Sequence, residues 1–446
     1  LYQRQHECPI AILSWRNIVP PNPFFVGGPT PSEYFIGRSS EIKIAFDQIG
    51  KRAHAAFYGS SGMGKSSLLK HLMNPASWQQ QGQDFQQAII VYLNCTDVNP
   101  FRPATFFREI LVALREEVEG DAELIPEIDA ILQAETPIAK GDLRRVLKAI
   151  GQRDRFLLLL IDDYDYALRP HADYSEADML TFLSEFRNLA VHSRESRYLS
   201  TIVTSFRRLT ELGPQLPPTS SPWYNHYLFQ PLRPFSPQEV DAAFFRVDSP
   251  LLIPIAPALK TGILEITDGH PALLQQAGYL LYDTLQTGQI PDIEAFAHDF
   301  ESRTEHFYQN TWAFSTETER VLMMLIALLR LQGRLNRRES YRLNGIDLIL
   351  SQRRRELIDL EERGVIKRPS PPTDTAYAFA SSMMEWWVIQ ELETSDEAIL
   401  TGRERILLNL MSRDQVEQVK AIIRQVWQQR EAVQSLIEWI VRLLKA

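Results

Sequence analysis

Residues 59 to 66 read Gly59-Ser60-Ser61-Gly62-Met63-Gly64-Lys65-Ser66, the spacing G-x-x-x-x-G-K-S. Glycines at these offsets let successive backbone N–H groups turn toward one point, which suits the oxygens of a phosphate chain. Lys65 is then placed to reach β- and γ-phosphates, and the Ser66 hydroxyl to ligate Mg²⁺. A chance lysine in a Gly/Ser-rich turn is the competing explanation. The flanks argue against it: Ala53-His54-Ala55-Ala56-Phe57-Tyr58 is apolar and strand-like, and Ser67-Leu68-Leu69-Lys70-His71-Leu72 has helical spacing. Strand, glycine loop and helix come in the order that phosphate binding needs, and the helix N-terminus adds a favourable dipole. The chain is expected to bind a nucleoside triphosphate through Gly59 to Ser67.

A second signal is Phe156-Leu157-Leu158-Leu159-Leu160-Ile161-Asp162-Asp163. A buried strand ending in two carboxylates presents them at its C-terminal edge, where α/β sheets bind ligands. Asp162 is placed to hold Mg²⁺ through water, and Asp163 to orient or deprotonate an attacking water. An acidic turn capping a strand is the alternative, since Asp165 is close by. Asp163 stands where fast hydrolases of this type commonly carry Glu; its shorter reach favours slow turnover. A third signal is Val203-Thr204-Ser205-Phe206-Arg207-Arg208. A polar residue and an arginine at a strand end suit γ-phosphate sensing, with Arg207 the stronger candidate. A solvated basic turn explains the same residues.

These groups need a scaffold. From Phe35 to about Gln230, β-rich runs alternate with helical stretches, the pattern of a parallel α/β domain. Expected strands are 53–58, 88–93, 156–161, 198–205 and 227–230, with long helices at 106–119 and 179–193. The segment before them is Pro/Gly-rich and reads as an extended lead-in over 1–34. After Pro231 the chain turns helical. Ser236-Pro237-Gln238-Glu239 is a capping box, and Gly269-His270-Pro271 separates two helical patterns. A third unit carries helices at 319–331 and 346–363, a stop at Gly364, and a hairpin about Ser370-Pro371-Pro372-Thr373-Asp374. Helices closed by a hairpin make a winged helix. The expected units are therefore a nucleotide-binding domain at 35–232, a helical lid at 233–312, a winged helix at 313–392 and terminal helices at 393–446.

Composition narrows the class. A hydrophobic content of 44% and a charged content of 23% are those of a globular protein. A net charge of −9 argues against bulk coating of nucleic acid. The two cysteines, Cys8 and Cys95, form neither a metal cluster nor a disulfide framework, so a reducing cytoplasm fits best. No apolar run approaches the roughly 20 residues that span a bilayer, and no membrane partner is expected. Opening on Leu1 is consistent with an excerpt from a longer chain.

Several elements together resemble the STAND family, signal-transduction ATPases related to AAA+ and initiator ATPases. Asn22-Pro23-Phe24-Phe25-Val26-Gly27-Gly28-Pro29 followed by Phe35-Ile36-Gly37-Arg38 is similar to the lead-in of bacterial members, where apolar-Gly-Arg contacts the adenine side. Glu41 fits the acidic residue that often follows, and Ser39 departs from the pattern. Gly62-Met63-Gly64-Lys65-Ser66-Ser67-Leu68-Leu69 resembles the family's phosphate loop. Asp268-Gly269-His270-Pro271 resembles its Gly-x-Pro lid motif, whose proline packs near the base and brings His270 and Pro271 into the site. Many members carry a winged-helix histidine on the β-phosphate of ADP. The matching region here, Phe379 to Trp387, has none.

The resemblance implies ATP/ADP with Mg²⁺ and a slow switch that couples nucleotide state to homo-oligomerisation or to an effector or sensor partner, in signalling or bacterial defence. ATP over GTP follows from the resemblance alone. The alternative is an initiator- or transposition-regulator-like ATPase that binds DNA through its winged helix. It draws on Arg353-Arg354-Arg355 with Arg337, Arg338 and Arg342, although Glu356, Asp359, Glu361 and Glu362 make that face mixed. A nucleotide-stabilised scaffold without turnover is the third possibility. Trp386 and Trp387 are expected to pack a core, as is His54.

Overall fold

The computed structural model describes residues 22–214, 221–241, 257–330, 346–368, 377–428 and 436–445. The lead-in before Asn22, Cys8, the hairpin turn about Ser370 and the arginines Arg337, Arg338 and Arg342 lie outside the described residues.

Five strands form one sheet: β1 (His54–Tyr58), β2 (Ala88–Asn94), β3 (Phe156–Asp162), β4 (Leu199–Ser205) and β5 (Tyr227–Pro231). Their order is β2-β3-β4-β1-β5 and every pairing is parallel. The five expected strands form, with small shifts at their ends. The reason is plainest in β3, which is apolar on both faces. Leu157, Leu159 and Ile161 join the core on one side of the sheet, and Phe156, Leu158 and Leu160 join the core on the other. Only a strand covered by helices above and below buries both sets. The fold class is thus α/β with a parallel sheet, and its ligand edge is the row of strand C-termini.

The helices that position the site are α1 (Lys65–Leu72), α2 (Pro271–Gln286), α3 (Ile293–Ala313), α4 (Glu317–Arg330) and α5 (Arg354–Glu362). The expected helix at 106–119 spans Pro103–Glu117. The one at 179–193 spans Glu176–Arg187 and ends in a π-turn, Asn188–His192. The single helix expected over 346–363 is two, Ile346–Gln352 and α5, broken at Arg353 (φ −108°, ψ 37°). The break lets Ile349 and Leu350 on one piece and Leu357 and Leu360 on the other reach the same core. It is followed by a short antiparallel pair, β6 (Ile366–Lys367) and β7 (Ala378–Phe379).

The described helices after the sheet share one continuous apolar core. Phe24 from the lead-in, Leu273 and Leu274 of α2, Leu325 of α4, Trp386 and Trp387, and Ile440 of the last helix all belong to it. The last helix, Leu436–Lys445, packs on α3 and on the helix Pro257–Thr267. His54 is a satisfied core histidine, bonded to Thr201 (2.6 Å) and to the Ala190 carbonyl (3.1 Å). Among the described residues no helix is long and apolar enough to cross a membrane.

Candidate functional site

The loop from Gly59 to Gly64 leaves β1 and enters α1 with Gly62 at φ +80° and Gly64 at φ +87°, left-handed values that glycine adopts without strain. Lys65 opens α1, and its ammonium folds back over the loop to donate to the carbonyls of Gly59 (2.8 Å) and Ser60 (3.1 Å). No carboxylate lies within ion-pair distance of it among the described residues. Burial pushes its pKa below the ordinary lysine value, and the fields of Asp163, Asp165 and Asp162 oppose that shift. A half-buried cation held only by neutral carbonyls is a site that an anion would complete.

The two carboxylates after β3 differ. Asp162 is fully buried and accepts from Tyr92 Oη (3.0 Å), the Asp163 amide (3.1 Å) and Thr204 Oγ1. Asp163 sits at φ +49° and turns to the cavity. Burial first, then the neighbouring Asp162, raises its pKa to about 6, with Lys65 acting the other way. Thr204 belongs to the strand end read from the sequence as a γ-phosphate sensor, and its hydroxyl engages the two acids instead. It donates to Asp162 and accepts from the Asp163 amide at 3.2 Å, so it orders both acids. The signal was a hydroxyl at a strand end, and only the β3–β4 pairing says which acids it meets.

The loop from Ser61 to Ser67 and Asp163 form the floor of a cavity of about 450 Å³, within the size of small-ligand sites. Of the residues named from the sequence, Phe35, Ile36, Arg38, Ser61, Gly62, Met63, Gly64, Lys65, Ser66, Ser67, Asp163 and Pro271 line it. Phe25, Val26, Gln275, Gln276 and Phe307 are among the other wall residues. The amide nitrogen of Gln276 is buried there without a hydrogen-bond partner among the described residues. Apolar walls over a cationic, amide-rich floor fit a nucleotide. Ser66 is the hydroxyl suited to Mg²⁺, and Asp163 rather than Asp162 is the carboxylate at the cavity wall.

The remaining candidates support the site from behind. Gly59 donates to the Ser205 carbonyl (3.2 Å), and Ser60 donates to that of Arg363 (3.4 Å). Gly37, at φ +74°, lies against Phe235. Arg38 is buried, with one nitrogen on the Met63 carbonyl (2.9 Å) and another on Glu41 (3.3 Å). It therefore anchors the loop as well as walling the cavity. His270 is out of the cavity: its Nδ1 accepts from the Leu273 amide (3.4 Å), capping α2, so Nε2 carries the proton donated to the Ser61 carbonyl (3.1 Å). Burial lowers its pKa to about 4, which keeps that tautomer neutral.

Arg207 departs from its expected role. Its guanidinium leaves the cavity and bonds Glu319 of α4 and Asp359 of α5 (2.9 Å). The region Phe379 to Trp387 is also absent from the cavity walls. Ser381 and Ser382 donate instead to the carbonyls of Ile266 (3.1 Å) and Glu265 (2.8 Å).

The lead-in straps the two halves together. Asn22 donates to the Tyr279 carbonyl (3.0 Å) and Phe24 fills the space over Gly278, where a Cβ would sit 2.2 Å from its ring. At the other end the Thr30 amide donates to Ser67 Oγ (3.0 Å), and Ser32 pairs with His71 (2.8 Å).

With a glycine loop, a basic floor and paired acids on a parallel sheet, residues 34–193 match one family model, described as an AAA ATPase domain. Over that stretch the chain is similar to AAA ATPase domains. Such a domain implies nucleotide binding, typically with Mg²⁺, and ATPase activity. Among solved structures, the chain is similar to the Walker-type ATPase PABY2304 of Pyrococcus abyssi, at 15% identity and TM-score 0.51, covering 82% of this chain and 99% of that one. At that identity the likeness is one of fold. The Aeropyrum pernix ORC2 protein in its ADPNP–ADP complexes (13%, TM-score 0.45, 86% and 92% covered) and the A. pernix ORC1 protein in complex with DNA (13%, 0.36, 80% and 93%) are more distant. No curated protein matches the chain.

Proposed function

We propose that the AAA ATPase domain works as a slow, STAND-type switch whose helical half reads the state of the phosphate loop. One observation carries this reading: the loop backbone is bonded by both parts of that half. The lid contributes His270 to the Ser61 carbonyl (3.1 Å) and the Ala272 amide to the Gly62 carbonyl (3.2 Å). The unit behind it contributes the Arg363 carbonyl to the Ser60 amide (3.4 Å). A loop that shifts when its phosphates change must therefore shift its clamps. We take the units as 35–232, 233–312 and 313–392, with 393–446 completing the helical core.

In hydrolysis Lys65 offsets charge on the phosphates and Asp163 takes the proton of an attacking water. Thr204 fixes the turn that aims Asp163. Ser66 would hold Mg²⁺, which would supply Lewis-acid stabilisation of phosphoryl oxygens. Moving such a clamp from 1:99 to 99:1 open needs about 5.5 kcal/mol of differential stabilisation, within reach of several charge-assisted bonds.

The DNA-binding alternative has less support, because Arg355 is paired bidentately with Glu211 (2.7 and 2.8 Å) and Arg353 donates to the Asn409 carbonyl (2.9 Å). Small-angle scattering and mass photometry with ADP and with a non-hydrolysable ATP analogue test the switch. The expected result is a compact ADP form that expands or assembles with the analogue, and a Lys65→Ala chain that responds to neither. A wild-type chain equally compact and monomeric with both nucleotides overturns the reading.

A further inference from the structure

The four residues that close β4 connect the acids to the helical half. Thr204 bonds Asp162, and the Phe206 amide donates to Asp165 (3.2 Å). The Phe206 ring centre lies 5.8 Å from Lys65 Nζ and 5.4 Å from the Arg363 guanidinium carbon, so the ring separates the phosphate lysine from the other half by one side chain. The next residue, Arg207, places a single nitrogen, Nη2, between Glu319 Oε1 and Asp359 Oδ2. Arg363 joins the same two acids at 3.0 and 2.8 Å.

Two cations balance two carboxylates in this cluster. The side chains of Arg363 and Glu319 are 0% and 1% exposed, so water contributes little. Arg363 alone cannot neutralise both acids. Withdrawing Arg207 leaves a net negative charge in a dry place, a strongly destabilising state unless the seam between β4 and α4–α5 opens to water. The pairing is nevertheless incomplete. The Nε–H of Arg207 is buried without an acceptor among the described residues, so a stronger anion can compete for the guanidinium.

We propose, resting on the switch reading, that Glu319 and Asp359 act as an internal stand-in for the γ-phosphate. In the closed arrangement they hold Arg207. A γ-phosphate at the loop takes the arginine from them, and the unbalanced acids drive α4 and α5 off the core. A diphosphate lacks the competing group and leaves the cluster intact. Glu319 and Asp359 are thus positioning residues: they touch no nucleotide, yet they set how strongly the site prefers a triphosphate.

The test compares affinities of the full chain for ADP and for a non-hydrolysable ATP analogue, with scattering to follow expansion. Glu319→Gln preserves shape and removes one competing charge; Asp359→Asn is the second variant should the first fail to fold. The expected result is a roughly tenfold gain in analogue affinity with ADP affinity changed less than about twofold. The gain should vanish when Arg207→Ala is added. A gain that is equal for both nucleotides, or that persists without Arg207, overturns the stand-in while leaving an analogue-dependent expansion of the wild-type chain, and so the switch, untouched. A wild-type chain indifferent to the two nucleotides defeats both.

Discussion

At the scale of residues, the loop and its acids do unlike work. Asp163 is the group with a pKa near the working range, raised to about 6 by burial and by Asp162. Because its folded-state value lies above the unfolded one, the stability it contributes is present at low pH and is lost as pH rises toward about 6. Catalysis runs the other way, since only the carboxylate takes a proton. Turnover should rise with pH up to about 6 and then level. Asp163→Asn should cost roughly 10²–10⁴-fold in kcat and erase that rise, as followed by phosphate release across pH 5 to 8. A rise that survives in the Asn chain would assign the base elsewhere. The loop residues and Asp163 were legible because glycine, lysine and acid at fixed spacing have few other uses. The engagements of Thr204 and Arg207 were not, since both depend on partners 42 and 112 or more residues away.

At the scale of elements, the contact between loop and lid is a close one. A Cβ on Gly62 would stand 2.7 Å from both Ala272 Cβ and His270 Cε1, at a backbone angle that alanine disfavours. Gly62→Ala should push α2 off the loop, destabilise the closed arrangement by about 1–3 kcal/mol and weaken nucleotide binding. Thermal melting and nucleotide titration check this. An unchanged melt would mean that the lid does not depend on the loop. Strands were readable from sequence because a run such as Phe156–Ile161 has one way to bury both faces. The split at Arg353 was not readable: apolar spacing on either side is helical, and only the shared core demands a bend.

At the scale of the whole molecule, the sheet has its own cores while the helical half has one, running from Phe24 to Leu444. The sequence reading sets the terminal helices apart as a unit of their own, and the last is part of the lid's interior. Ile440 is fully buried there. Ile440→Ala should therefore cost about 2–5 kcal/mol and lower the melting of lid and terminal helices together, leaving the sheet's transition in place. Amide exchange resolved along the chain would show it, and loss confined to the last helix would argue against one unit. The lead-in carries a mechanical consequence. It is nailed to the lid by the ring of Phe24, which no small motion can extract from over Gly278, and hooked to α1 by two hydrogen bonds. Any swing of the lid puts the intervening prolines and glycines under tension, and the hooks at Thr30 and Ser32 give way first. The hydroxyl of Ser67 would then be released beside the phosphate loop, so the strap would unzip from the catalytic side and travel with the lid.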